Sequence, residues 1–316
     1  MYYGDLLWKT LALPAINYAC ATWVCGGSSD IQTLEKLQTH MARTILKASR
    51  TTCKEALYGD LGWQSIASIQ DCHRMKYLER LITLNNDRWP KLAFRTMLIT
   101  SKTRQIRWKW LDHINNILRQ CDMNHVLNNV VPFGWANICC ERIKIIDSIS
   151  LLEQAMNKPS LSHYILLKSS INMEPYLLDK SDFYGVSLKF KLRSNTLPLN
   201  RRTSKWNNDP NDTGICSLCK DETEDVYHFL FTCRELNNIR IDEYAKLENC
   251  LLKSNFNEIW SLFIAGDLEI KLNLTLGNTN LYNHLQNTDK VSSIFDTFCK
   301  NYTKRAWHLR NNIIDS

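Results

Sequence analysis

Three cysteines and one histidine fall within the eighteen residues "CSLCKDETEDVYHFLFTC" (216–233). Cys216 and Cys219 are separated by two residues, and His228 and Cys233 by four. A Cys-x2-Cys turn presents two thiolates from one knuckle, and zinc prefers tetrahedral coordination by sulfur and imidazole. His228 and Cys233 lie about one and a half helical turns apart, so the start of a short helix brings both to one ion. The spacing predicts a Zn2+ site with Cys216, Cys219, His228 and Cys233 as ligands. Four protein ligands leave no position for an activated water, which makes the ion structural rather than catalytic. It holds together a unit too small to bury enough apolar surface unaided. Between the ligand pairs, "KDETEDVY" reads as an exposed polar loop. A disulfide reading is weak, because three cysteines leave one unpaired. The remaining alternative, two incidental core cysteines, leaves unexplained a spacing that the other cysteines lack.

A second chemistry is electrostatic. Lys36, His40, Arg43 and Lys47 recur at steps of three and four, so they share one helix face with no acid among them. That stripe is either a solvated polar face or a surface facing phosphates. "SKTRQIRWKW" (101–110) contains Arg104, Arg107 and Lys109 beside Trp108 and Trp110, and no acid. The stretch 188–207 is also free of acids and carries Arg193, Arg201, Arg202 and Lys205, with Trp206 beside the last of them. Residues 299–312 repeat this basic character. Such cations hold phosphates without reading sequence. The tryptophans beside them stack on unpaired bases or, in the competing reading, anchor helix packing.

The elements that must position these groups are mostly helices. Ile31, Leu34, Leu37, Met41, Ile45 and Ala48 give a helical period over 31–48, with Asp30 placed as its N-cap. "LYGDLGW" (57–63) reads as a turn bracketed by two glycines, and helices are expected over 66–84, after Pro90, over 106–121, over 136–156 and over 291–314. In 106–121, Ile106, Trp110, Ile114, Ile117 and Cys121 fall on one face. The best strand signal is the partial alternation of "FYGVSLKFKL" (183–192). With 316 residues, length is a prior for about two domains. Hydrophobic residues at 44% and charged residues at 22% suit a globular protein with a sizeable core. The net charge of +7 suits anionic partners. Asp5, Lys9 and Pro14 break the apolar start before it resembles a signal peptide, and no stretch is long enough to span a membrane. An intracellular protein of nucleus or cytoplasm, not secreted, is expected. In that compartment thiols stay reduced, and Cys20, Cys53, Cys121, Cys139 and Cys140 read as small buried hydrophobes.

Three blocks resemble the C-terminal region of non-LTR (LINE-like) retrotransposon reverse transcriptases. "LALPAINYACATWV" with "LEKLQTHMARTILKASRTTCKEALYGDLGW" is similar to the helical thumb that follows the polymerase palm. "KFKLRSNTLPLNRRTSKWN" leading into "CSLCKDETEDVYHFLFTC" looks like the zinc-binding tail, and "FDTFCKNYTKRAWHLRNN" like the closing helix. The resemblance implies a mainly α fold: a thumb-like helical segment over 1–97, a helical linker over 98–182, a CCHC zinc module over 183–240 and a C-terminal helical tail over 241–316. It also implies binding of template RNA or target DNA, with Lys36, Arg43 and Lys47 carried over from the thumb. The Asp-Asp pair that holds two metal ions in such a palm is absent, and the thumb-like block begins near residue 11. The expectation is therefore a truncated, transposable-element fragment without polymerase catalysis of its own, with a separately encoded palm domain as a possible partner. Two other readings stand beside it. One is a decayed or structural interaction fragment. The other is a restriction-like endonuclease using Glu269 and Lys271 with Asp242 or Asp267, where the competing reading is a solvated loop or helix end.

Overall fold

A computed structural model describes residues 1–24, 28–127, 133–204, 213–278, 281 and 287–314. The protein is mainly α-helical. Among the described residues the only β-pairing is one antiparallel bridge between Ile215 and Thr223. In chain order, α1 (Tyr2–Leu7) passes through a π-turn at Trp8–Ala12 into α2 (Leu13–Ile16). There follow α3 (Ser28–Leu46), α4 (Lys54–Leu61), α5 (Ile66–Thr83), α6 (Trp89–Thr103), α7 (Lys109–Gln120) and α8 (Trp135–Met156). Then come α9 (Ser162–Leu167), α10 (Phe183–Arg193) and α11 (Asn200–Thr203). The last four are α12 (Asn237–Lys253), α13 (Asn257–Ala265), α14 (Leu268–Leu276) and α15 (Thr288–Ile314). Among the described residues no helix is long and apolar enough to cross a membrane.

The chain forms two compact units that alternate along the sequence. One comprises Met1–Gly4, Ala42–Gly62 and Gln154–Ser316; the other comprises Asp5–Met41 and Trp63–Glu153. In the second unit, Leu111, Ile114, Ile117 and Leu118 of α7 share a core with Met75, Leu78 and Leu81 of α5 and Cys139 and Ile143 of α8. Ile106, expected on that buried face, precedes the helix and is exposed. Ser65 caps α5 by accepting from the Ser68 amide at 3.2 Å, and Asp147 accepts from both the Ser65 amide and hydroxyl.

In the first unit, α15 packs along α10, α12 and α14, and Phe295, Phe298, Tyr302 and Trp307 supply its apolar side. The expected strand at 183–192 is instead the helix α10. Asp182 caps it, accepting from the Gly185 amide at 2.9 Å. The alternation misleads because α10 is buried on almost all sides, and its polar members Lys189 and Arg193 are four residues apart on one helical face. Lys189 pairs with Asp296, while Arg193 pairs with Asp60 at 2.9 Å and with Glu174 at 3.2 Å. Asp60 also accepts from the Tyr164 and Tyr176 hydroxyls at 2.9 and 2.6 Å. Burial works against ionisation of the Asp60 carboxyl, yet Arg193, then Lys168 and Tyr176, outweigh it and hold the group below its ordinary range.

The expected turn at 57–63 is helical as far as Leu61, and only Gly62 turns. Its φ of +64° closes α4 in the left-handed conformation. A Cβ there would also collide with the backbone of Asn172 and Met173, so both conformation and space require glycine. The helix α3 starts at Ser28, which puts Asp30 inside its first turn rather than at the N-cap. It ends at Leu46, before the Lys47 that the charged stripe had included, and Lys47 has a φ of +49°.

Candidate metal centre

The four predicted ligands converge. Cys216, Cys219, His228 and Cys233 are all buried, and their donor atoms lie within 4.8 Å of one another. Each position has a local cause. The bridge pairs the two arms of the loop: the Cys216 amide donates to the Glu222 carbonyl at 2.8 Å and the Glu224 amide to Gly214 at 2.9 Å. The Lys220 amide closes the knuckle onto the Cys216 carbonyl at 2.9 Å, with Lys220 itself at φ +60°. On the other arm, His228–Thr232 is a π-helical turn, and the Cys233 amide donates to the His228 carbonyl at 2.9 Å. An i→i+5 turn stacks residues five apart, which brings His228 and Cys233 to the same point.

The geometry fits a tetrahedral ion. Cys216 Sγ lies 3.9 Å from Cys233 Sγ, and Cys219 Sγ lies 3.4 Å from His228 Nε2. Bonds of about 2.3 Å to sulfur and about 2.05 Å to nitrogen place tetrahedral ligands roughly 3.8 Å (S to S) and 3.6 Å (S to N) apart. The Cys216–Cys233 hydrogen bond raises the Cys216 thiol well above its ordinary range and lowers that of Cys233. The imidazole is oriented from outside the cluster. Its Nδ1 lies 2.8 Å from Glu222 Oε2, so Nε2 faces the sulfurs. Thr232 donates its hydroxyl to the same carboxylate oxygen at 3.1 Å. A carboxylate behind the distal nitrogen is the usual device for fixing a ligating histidine.

The supporting shell was not legible from the ligand spacing. Arg240 of α12 donates to the carbonyls of Leu230 and Cys233 at 3.1 and 3.0 Å. Tyr302 of α15 donates to the Phe229 carbonyl at 2.8 Å. Glu224 lies in the stretch expected to be exposed, yet it is buried and paired with Arg310 of α15 at 2.6 and 2.7 Å. It also accepts from the Asn200 amide at 2.7 Å. The Cys3His cluster is thus hydrogen-bonded to α12 and its loop to α15. An acid within the ligand loop matched by an arginine near the chain's end is visible in sequence, but nothing in it pairs the two.

The predicted phosphate contacts separate into groups. Lys36 and His40 are exposed on α3. Arg43 is half-buried and donates to the Thr52 carbonyl at 3.1 Å. Lys47 lies over the Phe183 ring at 4.5 Å. Arg104, Arg107 and Lys109 are exposed, with Arg107 3.4 Å from Asp112. Arg201 is exposed and paired with Asp225 at 2.6 Å, while Arg202 is half-buried and bonded to the Asn195 carbonyl and, at 3.1 Å, the Thr51 hydroxyl. Arg193 is a correction. It is 0% exposed, and the Asp60–Glu174 pairing removes it from any phosphate-facing surface. Lys205 and Trp206 lie outside the described residues. Trp110 is a packing residue, its indole donating to the Ala21 carbonyl at 2.8 Å and its ring edge-on to Tyr77 and Phe94. Glu269 and Lys271 lie on α14, where Asp267 is the N-cap, accepting from the Ile270 amide at 2.8 Å, and Asp242 pairs with Arg305 at 2.9 Å.

Comparison with protein-family models, curated proteins and solved structures finds no match to this chain.

Proposed function

We propose that the protein binds nucleic acid, template RNA or target DNA, with a structural Zn2+ held by Cys216, Cys219, His228 and Cys233. In this reading the chain corresponds to the C-terminal region of a non-LTR retrotransposon reverse transcriptase. The observation that carries the proposal is the buried Cys3His cluster at tetrahedral spacing with Glu222 behind the imidazole. Sulfur and imidazole suit zinc, and four protein donors suit a structural rather than a catalytic ion. The exposed cations Lys36, Arg104, Arg107 and Lys109 suit a phosphate backbone. Leu7, Leu11 and Tyr18 near the N-terminus are exposed, which suits an apolar partner such as a palm domain.

The test is elemental analysis of protein purified without chelator, followed by polynucleotide titration across a salt series. One zinc per chain is expected, together with an affinity that falls as salt rises. Replacing Lys36 and Arg104 by alanine should reduce the slope of log affinity against log salt by up to about 1.8 on duplex DNA, at roughly 0.9 per phosphate contact. Metal-free folded protein would remove the zinc; affinity indifferent to salt would remove the phosphate contacts.

A further inference from the structure

From Arg88 to Leu111 the chain carries seven lysines and arginines and no carboxylate. Most of this stretch is α6, which turns Phe94 into the core of the second unit. At 3.6 residues per turn, Arg88, Lys91, Arg95 and Lys102 fall along one stripe, roughly 21 Å long at 1.5 Å per residue. Beside it runs a second, outward stripe: Trp89 is 83% exposed, Leu92 39% and Ile99 59%. Lys91 is half-buried and folds back, its ammonium donating to the Ile82 carbonyl, while Arg88, Arg95 and Lys102 are exposed as the outward cations of the stripe. Past the helix, the Trp108 indole donates to the Thr100 hydroxyl at 3.0 Å, which fixes it against α6.

A linear row of cations beside an outward aromatic ring matches a polyanion with unpaired bases. Duplex offers phosphates alone, whereas a single strand also offers base faces to a ring. A lipid surface fits less well, because Thr96 and Thr103 interrupt the apolar stripe and leave no continuous face to insert. We propose that α6 and the segment to Lys109 form a track for single-stranded polynucleotide, with phosphates along the cationic stripe and an unpaired base stacked on Trp89. The proposal rests on the nucleic-acid reading above and narrows it to a strand state and a site. It also moves base stacking from the inward Trp110 to the outward Trp89.

Anisotropy titrations of the full chain with a short labelled single strand and a matched hairpin duplex test it. Trp89→Ala should weaken single-strand binding about tenfold and leave the duplex nearly unchanged, and Trp89→Phe should restore most of the loss. Arg95→Ala with Lys102→Ala should lower the single-strand salt slope by about 1.4. Wild-type binding that neither variant alters would overturn the track while leaving the broader reading intact; no binding of either probe by the wild type would overturn both. Equal losses on duplex and single strand would overturn the strand preference. Trp89-dependent sedimentation with phosphatidylserine vesicles, without binding of either probe, would reassign the surface to lipid.

Discussion

Glu222 touches none of the sulfurs, yet it decides which imidazole nitrogen His228 presents to them. Supporting carboxylates of this kind are worth about 10–100-fold in metal affinity. Glu222→Ala should therefore keep one metal per chain at saturation and lose roughly that factor against a competing chelator, whereas Cys219→Ser should lose the site. Arg193 poses the opposite case, a cation whose whole role is internal. Removing one partner of a buried pair leaves the other charge uncompensated, at a cost of about 3–5 kcal/mol. Arg193→Ala should show that loss in urea unfolding, while polynucleotide affinity per folded molecule stays unchanged. A weakened affinity at constant stability would restore Arg193 to the phosphate surface. The same substitution separates what composition shows, a basic stretch, from what only packing shows, an arginine opposite Asp60.

At the scale of elements, the helices with one apolar face were readable because their period is set by a single solvent boundary. The α7 repeat and the long α15 are of that kind. The α10 segment was not, because a helix buried all round has no boundary to write a period, and its charges answer to Asp60 and Asp296 far along the chain. The convergence of Cys216, Cys219, His228 and Cys233 was readable because their spacing is local, and the shell from Arg240, Tyr302 and Arg310 was not, because it arrives from α12 and α15. The interleaving of the two units is likewise absent from any local pattern. These dependencies predict how the module around 213–236 behaves on metal removal. Chelation should strip hydrogen-exchange protection from the Cys216, Lys220, Glu224 and Cys233 amides, which close the loop and the π-turn. Amides of the second unit should keep theirs. Protection unchanged after chelation would mean that α12 and α15 hold the module without an ion.

For the molecule as a whole, pH reads out the balance of its buried charges. His163 is pushed below the ordinary imidazole value by burial, with the backbone carbonyls of Leu192 and Arg193 partly opposing that shift. A base whose pKa is depressed on folding leaves the unfolded chain to take up the proton first. The stability this neutral ring contributes is present above about 6.5 and declines as pH falls, at up to about 1.4 kcal/mol per pH unit. Asp179 is held below its usual range chiefly by its hydrogen bond from Lys300, and Asp60 lies low for the reasons given above. For these carboxylates stability is present above the unfolded value near 4 and is lost as pH falls through their lower folded values. Two descents are thus expected on acidification, one beginning near 6.5 and a steeper one below about 4. Proton competition at the cysteines would also release a bound metal as pH drops, so the informative quantity is the difference between wild type and His163→Gln. That variant should flatten the first descent and leave the second in place, as followed by urea unfolding at fixed pH steps. Identical curves for the two proteins would show that His163 keeps its ordinary protonation in the fold.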